Sequence, residues 1–279
     1  TLSTINMSTL PANKKGEGMG YYSLSTATGT AIGPFLALYL TNNFGYNVLF
    51  ISCILFSVMA LISTALGTIV DIDLTPEQKE KIKKSLHFQD FYDKQALPIA
   101  LLMFICGIAY SGVISFINLY ASRLNLTKAA SFFFVVYAVF LFVGRPVVGR
   151  IFDRRGENTV IYPSFISFVI GLLLITLAKN GFMLLLAGVF LALGYGTLMS
   201  SMQTIVGKLA PPHRLGLAIS TFFICMDAGM GTGPYILGLI VERYGFRTMY
   251  GFLAIAVVCL IPAYYLLHGK RASLAKPII

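Results

Sequence analysis

Eleven of the 279 residues are acidic, and Asp227 alone lies deep within an apolar run. It sits about 15 Å along a helix from the run's polar edge, and placing an Asp at mid-membrane costs on the order of 2.5–3.5 kcal/mol. Such a residue must face a bundle interior or a wet cavity. At 100° per residue Asp227 shares a face with Gly231, Pro234 and Gly238, while Gly229 and Gly233 lie opposite. Two readings are open: a carboxyl that gains and loses a proton as water is excluded or admitted, or an interhelical hydrogen bond that fixes packing. A second concentration of chemistry is the charged run from Gly149 to Asn158, which reads as a loop and holds Arg150, Asp153, Arg154, Arg155 and Glu157. Elsewhere the chemistry is sparse. Cys53, Cys106, Cys225 and Cys259 lie in apolar runs without metal or redox spacing, and His87, His213 and His268 fall at polar boundaries. No Gly-x4-Gly-Lys-Ser/Thr loop is present. We therefore expect no catalytic residue, no metal, no cofactor and no enzyme.

The elements that hold these residues are apolar. The chain is 57% hydrophobic and 11% charged, with a mean hydropathy of +0.79, a balance that excludes a water-soluble globule of this size. Runs long enough to cross a hydrocarbon core fall near 18–40, 46–70, 97–121, 129–149, 158–178, 182–206, 216–240 and 249–268. Eight crossings put both ends on one side. Of 21 Lys and Arg residues, sixteen fall with the two ends and the 71–96 segment, Arg145 and Arg150 among them. Only Arg123, Lys128, Lys179, Arg243 and Arg247 fall opposite, so both ends are expected to be cytoplasmic. The net charge of +10 thus reports orientation in a lipid bilayer rather than nucleic acid as a partner. Residues 71–96 form the one sizeable polar stretch, with a helix start expected at Thr75-Pro76-Glu77-Gln78.

Residues 1–46 match residues 201–246 without a gap. Pro11/Pro211, Gly16/Gly216, Gly29/Gly229, Gly33/Gly233, Pro34/Pro234 and Gly45/Gly245 are identical, and Tyr22/Phe222 and Phe44/Tyr244 are close. The matched spans point the same way, which marks a parallel repeat. Residue 1 then corresponds to a point late in the sixth span, so roughly four helices of an upstream half have no counterpart here. A complete protein would comprise two six-helix halves.

That architecture, and the run Gly149, Asp153, Arg154, Gly156, are similar to those of the major facilitator superfamily. Its signature is Gly-x-x-x-Asp-Arg-x-Gly followed by two basic residues, here replaced by Glu157 and Asn158. The resemblance implies a gating loop that meets Lys15-Gly16-Glu17-Gly18 at the start of the first span, with Arg150 or Arg154 near Glu17. Gly20, Gly29 and Gly33-Pro34 resemble the antiporter motif of the fifth helix; close packing at Gly29 and Gly33 is the plainer reading. The resemblance covers the chain as an all-α integral membrane protein of the major facilitator fold, eight transmembrane helices of an expected twelve. Residues 1–70 would be the end of helix four with helices five and six, 71–96 a cytoplasmic linker, and 97–279 the C-terminal six-helix bundle. It implies a multi-pass cell-membrane transporter that uses a proton gradient to export small organic molecules, with the absent N-terminal helices of the same protein as partner. An inactive gene fragment, or a facilitator for sugars or other metabolites, is the alternative. Cavity-lining residues would be Tyr110, Ser111 and Asn118 in the third span and Tyr195, Ser200 and Gln203 in the sixth.

Overall fold

The computed structural model describes residues 14–66 and 92–270, with 5, 10 and 11 isolated before them. The surroundings of Gly33 and Pro34, and the helix expected after Thr75, lie outside the described residues. Six helices carry the described chain: α1 (Lys15–Leu66), α2 (Leu97–Arg123), α3 (Thr127–Arg155), α4 (Asn158–Thr176), α5 (Gly181–Leu209) and α6 (Leu215–Gly269). Their joints are set by local residue choice. Asn125 adopts φ 58° in the tight turn between α2 and α3, and Gly156 ends α3 at φ 85°. The Asn180 side chain caps α5 by accepting from the Met183 amide at 2.9 Å.

Six helices among the described residues are long and apolar enough to cross a membrane, where the sequence predicts eight spans. The difference falls at two glycines. α1 and α6 each run through a predicted span boundary, broken only at Gly45 (φ 82°, ψ 173°) and Gly245 (φ 80°, ψ 168°). These residues are 200 positions apart, so the sequence repeat reappears as nearly identical backbone geometry. A side chain at either position would be strained at that φ.

The charged run from Gly149 is also corrected by the structure. Gly149 to Arg155 form the last turns of α3 rather than a loop, and only Gly156 and Glu157 separate α3 from α4. Charge density suggested a loop, but a helix can extend past the hydrocarbon as long as its end is capped; here the Gly156 amide closes onto the Phe152 carbonyl.

The main core lies within residues 96–264, where Phe133, Phe165, Phe168, Phe222, Tyr250 and Tyr264 are fully buried. α2 and α6 share the most intimate contact. Gly229 abuts the Phe104 carbonyl and Gly107 the Met226 carbonyl, so both helices lack side chains where their backbones meet. Tyr250 adds a hydroxyl donated to the Gly112 carbonyl at 3.1 Å. At the entrance to α2, Asp93 is buried, accepts from the Gln95 and Ala96 amides, and pairs with Arg214 at 3.1 Å. The start of α2 is thereby tied to the start of α6. α1 joins this body through its first turns, where Met19 packs on Leu215 and Ile219. Its distal stretch, Asn43–Leu66, buries nothing and leaves Phe50, Ile54 and Leu61 exposed.

Candidate functional site: a carboxylate clamp beneath a tyrosine stack

The free amides of a helix N-terminus carry partial positive charge and need acceptors. At the start of α1 they find one on α3: Asp153 Oδ1 accepts from Gly16 N at 2.9 Å and Oδ2 from Glu17 N at 2.8 Å. Each oxygen of the carboxylate takes one amide. Glycines allow this approach. A methyl on Gly149 would stand 2.7 Å from the Gly16 carbonyl oxygen and 2.9 Å from Glu17 Cα, both backbone atoms unable to swing aside. Around the clamp, Arg150 Nε meets Glu17 Oε1 at 2.8 Å, and Lys208 of α5 reaches Asp153 Oδ1 at 3.7 Å while lying 4.5 Å over the Phe152 ring. Arg150 is the partner of Glu17; Arg154 points outward, exposed. The Arg150–Glu17 pair is largely solvated and therefore screened by salt. The two backbone-to-carboxylate bonds are the stronger tie.

The departure of Glu157 and Asn158 from the basic pair has a use here. Glu157 Oε1 lies 2.6 Å from His268 Nε2, Asn158 Nδ2 donates to the Gly269 carbonyl at 2.9 Å, and Tyr264 Oη donates to Asn158 Oδ1 at 3.0 Å. The start of α4 thus grips the end of α6, a role that basic residues could not fill toward a histidine. Sequence spacing offers no hint of this contact across 111 residues.

Of the antiporter-like residues, Gly20 stands where a methyl would be 3.1 Å from the Arg145 carbonyl oxygen, so α1 and α3 stay close one turn beyond the clamp. Gly29 has open space around it. The six candidate lining residues separate. Tyr110 and Tyr195 are buried and stacked at 3.8 Å between ring centroids, with Tyr137 5.8 Å from Tyr110. A wide π-helical turn, Ala192–Gly196, positions Tyr195; a methyl on Gly194 there would press on the backbone of Phe168. Ser200 lines a narrow crevice next to the clamp, and Gln203 is buried with its amide nitrogen unpartnered. Ser111 bonds to its own helix and abuts Gly233, which is packing, and Asn118 is exposed.

Asp227 is exposed on α6, on the side bearing the open Gly231, while Gly229 and Gly233 press on α2. It comes within electrostatic reach of Tyr195. Tyr195 Oη itself lies 3.7 Å from Met230 Sδ on the same helix as Asp227. Arg145, counted from sequence among the loop cations, is instead buried within α3. Its depth was legible as two turns before Asp153; its burial depends on α1 lying across it.

The profile of the Major Facilitator Superfamily matches residues 1–181 and, again, residues 130–278. The chain belongs to the major facilitator superfamily. Among curated members it is 26% identical over 270 residues to the staphylopine export protein of Staphylococcus aureus, covering 89% of this chain and 65% of that one. It is 25% identical over 180 residues to the multidrug resistance protein MdtG of Salmonella dublin, covering 62% of this chain and 44% of that one. The crystal structure of the human organic anion transporter MFSD10 (TETRAN) superimposes with a TM-score of 0.71 at 16% identity, over 95% of this chain and 66% of that one. This facilitator chain is thus a multi-pass, all-helical membrane protein that spans about two thirds or less of the length of these relatives.

Proposed function

We propose that the chain is part of a proton-coupled secondary transporter that exports small organic molecules by alternating access. The observation that carries this reading is the Asp153 clamp: two helices held at one end by hydrogen bonds to a helix terminus and by a solvated ion pair, a contact that can open without breaking a core. The export and drug-resistance names of the relatives support the direction of transport. In this reading α1 and α6 each cross the membrane twice, turning at Gly45 and Gly245, which makes eight crossings of twelve. The remaining helices belong to the same protein. The clamp lies at the cytoplasmic face, with Arg243 and Arg247 at the other, and the membrane is the cell membrane. Single cysteines test this orientation: an impermeant thiol reagent added outside is expected to label positions 123, 179 and 243 and to spare 154 and 270. The reverse pattern overturns it.

Asp227 is the proposed coupling group, on the exposed side of α6. In the alternating cycle this carboxyl takes up a proton on one side of the membrane and releases it on the other. In the full-length transporter, Asp227→Asn keeps shape and hydrogen bonding but carries no proton. Proton-driven efflux from vesicles is expected to fall at least a hundredfold with melting temperature unchanged. Full efflux with Asn, together with loss of stability in Asp227→Leu, makes the residue structural instead.

A further inference from the structure

Arg145 is 5% exposed, and its Nε and Nη1 have no hydrogen-bond partner among the described residues. Two other cations near the helix ends have carboxylate partners. Arg214 has Asp93 and Lys208 has Asp153. A buried guanidinium is always charged, and without an acceptor it is costly to keep within a membrane bundle. Its surroundings are built for an acceptor to arrive. Arg145 lines the crevice with Gly16, Gly20, Ser200, Ser201 and Thr204. The hydroxyls of Ser200 and Thr204 already donate to carbonyls of their own helix. Arg145 thus brings two unpartnered donors to that crevice, and the Ser201 hydroxyl also lines it.

We propose that Arg145 anchors a binding site for organic carboxylates, so that the cargo class is a small organic anion. This rests on the transporter reading above, but concerns recognition rather than coupling. Guanidinium nitrogens and carboxylate oxygens match in geometry and charge. Entry of such an anion requires α1 to move off α3 at Gly20 and Gly149, which links occupancy of the site to release of the Asp153 clamp.

The test uses the full-length transporter in detergent and two fluorescent probes of equal shape, dansylglycine and its neutral amide, titrated without any proton gradient. The intact protein is expected to bind the carboxylate ten- to a hundredfold more tightly than the amide, as a charge-assisted hydrogen bond provides. Arg145→Gln is expected to remove that preference while leaving binding of the amide intact, and the amide then also reports that the variant is folded. Arg145→Lys keeps the charge without the planar donor set and is expected to retain part of the preference. Equal binding of the two probes by the intact protein, or a preference that survives in Arg145→Gln, overturns the assignment. So does loss of both probes in a monodisperse Arg145→Gln protein, which makes the residue a packing element. Because no gradient is applied, failure of proton-driven efflux leaves this result standing, and a failed probe preference leaves the coupling reading untouched.

Discussion

Asp153→Asn is expected to expose the crevice behind the clamp: a cysteine placed at Ser201, in a background free of Cys53, Cys106, Cys225 and Cys259, should react with a thiol reagent about ten- to a hundredfold faster. Ser201 is 5% exposed and lies on the crevice roofed by the first turns of α1. Asparagine keeps one acceptor for the Gly16 or Glu17 amide but turns an NH2 toward the other, and it removes the negative charge that complements both the helix terminus and Lys208. Hydrogen bonds to a charged group contribute about 1.5–3 kcal/mol, and each 1.4 kcal/mol moves the equilibrium tenfold. Glu17→Gln, which removes only the solvated pair with Arg150, is expected to change the rate by less than about threefold. Equal effects of the two substitutions would show that the backbone amides are not what holds α1.

The second large effect separates two glycines of the same helix. A methyl at Gly229 would overlap the Phe104 carbonyl oxygen, whereas a methyl at Gly231 has nothing within 4 Å. Gly229→Ala must therefore push α2 and α6 apart along their closest contact, at a cost of about 1–3 kcal/mol or more. Gly231→Ala should be neutral or slightly stabilising, since alanine is the better helix former. Thermal unfolding of the two variants in detergent is the measurement, and both start from the same residue change. A fall of several degrees is expected for the first alone. Similar melting temperatures would mean that the α2–α6 contact is loose.

Much of this fold could be read from the chain because hydrocarbon imposes a simple grammar: long apolar runs, punctuated by Gly, Pro and charge. The Gly45 and Gly245 matches pointed to a repeat, and the backbone breaks fall at those residues. Run length could not say that each break would be one residue wide, so two continuous helices stand where four spans were expected. Asp153 and Glu17 were visible because a charged cluster beside an apolar run is rare. Lys208 and the Glu157–His268 contact were not, since each partner lies on a different helix and nothing local marks it. Arg145 was hidden by its neighbours: it stands four residues before the Gly149 run and so was grouped with cations outside the bilayer. Polar type within a span also did not separate Ser111, which packs against Gly233, from Asn118, which is exposed.

Two apolar helices joined through a single glycine leave the ribosome with no loop between them. Spans separated by a polar loop can be handed to the bilayer one at a time, each oriented by its own flanking charges. On either side of Gly245, by contrast, Tyr244 and Phe246 are already helical. In the reading with two crossings per helix, synthesis delivers residues 215–269 as one hairpin. The same holds for α1 about Gly45. In that reading the unit of insertion at these places is the pair rather than the single span.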